Sequence, residues 1–150
     1  MNILIDNRYK KDVCSLKLIE HLARFALEQI NAPNNSELSI SLVKNEEIQQ
    51  LNKDYRGKDC PTDVLSFECD FQDKDDSGNT LCLGDIIIAP DVVESMRKLY
   101  NTTFEQEISL LIVHGCLHVA GYDHLNDDDA EKMELKEKEI LETYGIFGVR

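Results

Sequence analysis

Apolar residues along the chain alternate with polar ones in some stretches and recur at helical spacing in others, and these changes of period divide it into elements. Ile3 to Ile5 is a short apolar run, read as a first strand, before the turn-like basic Asn7-Arg8-Tyr9-Lys10-Lys11. From about Val13 to Ile30, Leu16, Ile19, Leu22, Ala23, Ala26, Leu27 and Ile30 keep helical spacing, and Asn31 to Ser36 with Pro33 ends that helix. His21 lies on it and reads as a surface or boundary residue rather than a ligand. Leu38 to Val43 alternates apolar with polar, as a half-buried strand does. Asn45 is the expected N-cap of a second helix that runs through Ile48 and Leu51 to about Tyr55, with Gly57 as its stop. A loop through Pro61 leads to a third strand, Val64 to Phe67. The acidic stretch Asp70 to Asn79 reads as a solvated hairpin loop, and Leu81 to Ile88 as a buried fourth strand.

Pro90 fits the first turn of a helix carrying Val92, Val93, Met96 and Leu99. Thr102 or Thr103 opens a capping box with Glu105 or Gln106 and starts a helix apolar on more than one face, through Phe104, Ile108, Leu111, Ile112 and Val119. Such a helix is expected at the centre of a fold. Asn126 or Asp127 starts a last helix through Met133, Ile140, Leu141 and Tyr144 to Gly145, and its acidic face reads as solvated surface. The order β-α-β-α-β-β-α-α-α predicts an α+β domain over 1–150, with a four-stranded mixed sheet and about five helices.

A chain of 150 residues buries enough surface to fold without a metal or disulfide staple. No apolar run approaches the roughly 20 residues of a membrane span, and Met1 to Asp6 has no signal-peptide character. The five cysteines, Cys14, Cys60, Cys69, Cys82 and Cys116, form no close pair in the sequence and are expected as reduced thiols in the cytoplasm. The net charge of −13 argues against a general nucleic-acid binder, so any such activity must use a local basic group.

The chemistry concentrates in one stretch, His114-Gly115-Cys116-Leu117-His118-Val119-Ala120-Gly121-Tyr122-Asp123-His124, which holds three of the four histidines. Histidines four apart on a helix share one face and reach one metal ion. Gly121 can end the helix, and the reversal after it can return His124 as a third ligand. Three imidazoles with a fourth position open describe a catalytic zinc site. Cys116 lies about 200° round the helix from His114 and should pack in the core.

The spacing of the three histidines also matches that of metzincin proteases, but Gly115 stands where those enzymes carry a glutamate base. Gly115 either leaves room for a bulky ligand or allows another element to pack closely. Lys53, Arg56 and Lys58 form the compact basic group, and Arg56 is the candidate phosphate clamp because its planar fork suits phosphate oxygens.

His-Gly-x-Leu-His-x-x-Gly-Tyr-Asp-His at 114 to 124 resembles the signature of the bacterial YbeY family. Tyr55-Arg56-Gly57-Lys58-Asp59-x-Pro61-Thr62-Asp63-Val64-Leu65-Ser66-Phe67 resembles a second block of that family, and Leu83-Gly84-Asp85-Ile86 a third. The resemblance implies a zinc-dependent, single-strand-specific endoribonuclease acting in ribosomal RNA maturation, at the 3′ end of the small-subunit RNA, and in ribosome quality control. It implies His114, His118 and His124 as ligands of one Zn2+ and Arg56 as the basic residue important for activity. Asp123 is a candidate to orient a ligand imidazole, and Asp85 is given no catalytic role. The partners expected are single-stranded RNA and a ribosomal protein or assembly GTPase that delivers it, with neither DNA nor a membrane. Two alternatives are a metallopeptidase and a non-catalytic assembly factor in which zinc is structural.

Overall fold

The computed structural model describes residues 1–69, 80–122 and 126–149. The described residues form four strands, β1 (Asn2–Asn7), β2 (Ser36–Leu42), β3 (Val64–Glu68) and β4 (Leu81–Ile88). Five helices accompany them: α1 (Leu16–Gln29), α2 (Asn45–Arg56), α3 (Pro90–Tyr100), α4 (Phe104–Val119) and α5 (Asp127–Tyr144). The α+β class and the element order are those expected from the hydrophobic pattern. The proposed hairpin loop at Asp70 to Asn79 lies outside the described residues.

The sheet order is β1-β2-β4-β3, with β1, β2 and β4 parallel and β3 antiparallel to β4. This makes β3 an edge strand. Ile86 and Ile88 point to one face of β4, where they join Leu38, Ile40, Leu22, Leu27, Ile108, Ile112 and Leu117 in the main core. Ile87 points to the other face and packs with Leu65 and Ile48 under α2. The period of two along β4 therefore feeds two cores, which is why its end is a continuous apolar run.

β4 carries a bulge. Glu37 pairs with Cys82 and Leu38 with Gly84, so Leu83 is the extra residue. At Gly84 a Cβ would lie 2.2 Å from the Phe67 carbonyl oxygen, so only glycine lets β3 approach so closely. Cys69, just after β3, and Cys82 in β4 form a disulfide with Cα atoms 6.1 Å apart. This corrects the expectation of five reduced thiols: antiparallel pairing of β3 with β4 joins two cysteines that are remote in sequence. Cys14, Cys60 and Cys116 are free.

Helix ends follow the sequence closely. Thr103 caps α4, its hydroxyl accepting from Gln106 N at 3.0 Å while Gln106 Oε1 accepts from Thr103 N at 2.9 Å. Gln106 Nε2 also donates to the Phe147 carbonyl at 2.7 Å, tying the C-terminal segment to the first turn of α4. Asn126 caps α5, and Gly145 ends it. At α2 the expected cap is displaced by one residue: Lys44 is the N-cap with no side-chain bond, and Asn45 is the first helical residue.

Candidate active site

α4 is buried along most of its length, and its apolar faces meet α1, α5 and the sheet. His114 and His118 stand one turn apart on the side left to a cleft, with ring centroids 4.5 Å apart in an edge-to-face arrangement. Gly121, with φ +105°, follows the end of the helix, and Tyr122 N bonds back to the Leu117 carbonyl at 2.9 Å. His124 and Asp123 lie outside the described residues. Among the described residues no group of three His, Cys, Asp or Glu side chains is placed to hold a metal. The structure thus brings together two of the three expected ligands.

Gly115 resolves in favour of packing. A Cβ there would lie 2.8 Å from Ile86 Cδ1 and 3.0 Å from Ile86 Cγ1 and Cγ2. The glycine lets α4 sit directly on β4. Cys116 is fully buried on the far side, as expected, and burial pushes its thiol up to about 12. His21 is exposed on α1.

The cleft measures about 910 Å³ and runs beside edge strand β3. Val64 to Phe67 line one side, Leu110, Leu111, His114 and His118 another, and Tyr55, Arg56, Thr62 and Asp63 the rim. Gly57, with φ +71°, ends α2 and turns the chain after Arg56. Asn52 Nδ2 donates to the Cys60 carbonyl at 2.9 Å, and Lys58 N to the Asn52 carbonyl at 3.2 Å, which fold the following loop back onto the helix. Asp63 Oδ1 accepts from Val64 N at 2.8 Å and so starts β3. Arg56, at the end of α2, lines the same cleft as His114 and His118. Lys53 instead reaches Asp59 at 4.0 Å in a surface ion pair, and neither it nor Lys58 lines the cleft. Asp85 is exposed on β4 and does not line the cleft either.

One site residue escapes the sequence reading. Glu137 on α5 is 7% exposed, lines the cleft, and its Oε1 meets His114 Nδ1. The acidic face of α5 is thus not all solvated surface. The signal was present: Met133, Glu137 and Leu141 are spaced by four, so this carboxylate occupies a position on the core-facing stripe. A buried carboxylate on one nitrogen of an imidazole fixes the ring's orientation and tautomer and directs coordination to the other nitrogen.

Comparison with known proteins agrees with this architecture. The profile of a family described as Endoribonuclease YbeY matches residues 4–145. A Bacillus subtilis protein named Endoribonuclease YbeY is 40% identical over 136 residues, covering 87% of each chain. One of the same name from Halalkalibacterium halodurans is 41% identical over 143 residues, covering 91% of this chain and 88% of its own. The solution structure of TM1509 from Thermotoga maritima superposes with a TM-score of 0.61 at 30% identity, over 95% of this chain and 91% of that one.

Proposed function

The chain belongs to the endoribonuclease YbeY family, and we propose that it is a zinc-dependent, single-strand-specific endoribonuclease of ribosomal RNA maturation and ribosome quality control, acting at the 3′ end of the small-subunit RNA. The observation that carries this reading is one cleft with an arginine on its rim and two helical histidines one turn apart in its wall, one of them held by a buried carboxylate. His114, His118 and His124 would hold one Zn2+, and the donor set suits it: neutral imidazoles, with Glu137 on Nδ1 of the first. When bound, the ion supplies positive charge to polarise phosphoryl oxygens.

The remaining work falls to side chains and substrate. Arg56 presents two parallel N–H groups to non-bridging phosphate oxygens and offsets charge that grows during displacement at phosphorus. The ribose 2′-OH next to the scissile phosphate can serve as nucleophile, forming a 2′,3′-cyclic phosphate as the bond to the 5′ oxygen breaks. Its proton passes to water and the leaving oxygen takes one from water, so the protein has to orient and to neutralise. Among the described residues no helix is long and apolar enough to cross a membrane, and the ribosomal role proposed here would be carried out in the cytoplasm. The net charge of −13 supports delivery of the RNA by a ribosomal protein or assembly GTPase rather than tight autonomous binding.

A second reading has one observation in its favour. Edge strand β3 lines the cleft, and open strand edges bind extended peptides. Against a metallopeptidase stands Gly115, which is packed on Ile86 and has no side chain to serve as the base those enzymes carry at that position. Cleavage of an end-labelled single-stranded RNA spanning the small-subunit 3′ end tests the proposal, with a His118→Ala protein purified identically. Cleavage confined to the parent is expected. Equal cleavage by both, or none by either, overturns a self-sufficient nuclease.

A further inference from the structure

Tyr55 is 68% exposed, although it is a large aromatic residue at the rim of a cleft. It lies in the last turn of α2, directly before Arg56, and both residues line the same space as the two histidines. Its ring meets Phe67 of β3 at 5.0 Å between centroids with planes 62° apart, so it is braced from one side while most of its surface faces solvent. Single exposed apolar residues are ordinary on a protein surface. A braced aromatic ring next to the candidate phosphate clamp is a different arrangement. It provides a flat, uncharged surface one residue from a guanidinium.

The charge of the protein makes that combination informative. A chain of net charge −13 repels a polyanion overall, and one arginine neutralises one phosphate. Contact with the faces of bases carries no such penalty, because stacking on an aromatic ring is largely independent of charge and sequence. We propose that Tyr55, braced by Phe67, is a nucleobase-stacking platform that holds an unpaired base of the RNA whose neighbouring phosphate Arg56 engages; this rests on the RNA reading above. A base within a duplex has both faces covered by its neighbours, so the platform also selects for single-stranded substrate.

The test is binding of a short fluorescein-labelled single-stranded RNA, followed by anisotropy, for the parent protein, Tyr55→Phe and Tyr55→Leu. A parallel set of RNAs carries one abasic position at a time. Stacking predicts that Tyr55→Leu weakens binding about five- to hundredfold while Tyr55→Phe stays within about twofold. It also predicts that one abasic position weakens the parent by a similar factor and leaves Tyr55→Leu unchanged, since the two losses share one contact. The slope of affinity against salt should be the same for all three proteins, because no phosphate contact is removed. Circular dichroism of the variants separates lost stacking from lost folding: a folded Tyr55→Leu protein that binds RNA as the parent does overturns the platform alone. A parent that binds no RNA even at low salt and high protein concentration overturns a self-sufficient nuclease and, with it, the platform. If Tyr55→Leu is unfolded, the abasic series on the parent decides, and uniform affinity across it rejects the platform.

Discussion

The two walls of the cleft are built on opposite plans. The histidine wall belongs to α4, buried on nearly every side, with Gly115 seated on Ile86 and Glu137 pressed against His114. The rim that carries Tyr55 and Arg56 is the exposed end of an amphipathic helix, held by a glycine stop and by hydrogen bonds from Asn52. A metal ligand must sit within a few tenths of an ångström of its place, which only packed side chains guarantee. A flexible polymer has to be met where it arrives, and an exposed helix end can meet it. The site therefore pairs a rigid centre with an accessible edge, and changes on the two sides should fail in different ways.

His118→Ala should produce the largest effect, reducing RNA cleavage by more than about 100-fold and lowering zinc content, measured by elemental analysis beside activity. Arg56→Ala should reduce cleavage on the order of 100-fold while zinc content stays at the parent's level, which would separate the walls cleanly. If zinc is lost with Arg56, the division of labour is wrong. Glu137→Gln should weaken zinc binding about tenfold, read by chelator competition, with a smaller fall in cleavage at saturating zinc. Unchanged affinity would reduce the buried carboxylate to a packing role.

Gly115→Ala tests the rigidity of the inner wall. Overpacking against Ile86 costs roughly 1–3 kcal/mol, and the gain in helix propensity returns about 0.8–1.0 kcal/mol. A fall of a few degrees in the thermal midpoint should follow. The smallest effect concerns thiols. Cys116, held protonated up to about 12 by burial, should resist alkylation at pH 8 in the folded state while exposed Cys60 reacts. The sign also fixes a stability trend: an unfolded thiol ionises near 9 and the folded one near 12, so the contribution of Cys116 to stability falls as pH rises between them.

Periodicity makes most of this fold legible, because each element buries one stripe or one alternating face. The histidine pair at 114 and 118 is legible for the same reason, since spacing by four fixes a shared face whatever surrounds it. Arg56 could be singled out only as a cation near a turn, and its place on the cleft depends on the fold. Glu137 was hidden among the many acidic residues of α5, where charge suggests solvent and only its register with Met133 and Leu141 points inward. The Cys69–Cys82 bond was hidden because strand pairing, not sequence proximity, joins them. The Lys44 cap at α2 differs by one residue from the reading, since Asn45 is free to enter the helix once the backbone turns before it.

The hydrogen bond from Gln106 to the Phe147 carbonyl acts as the stop of a sliding scale. It anchors the segment after α5 to the opening turn of α4, about two turns of helix before His114. A slip of α5 by a single residue would carry Glu137 about 1.5 Å along the helix axis and swing it by about 100°, away from His114. The alignment of an imidazole at one end of this helix pair is thus calibrated by an amide at the other.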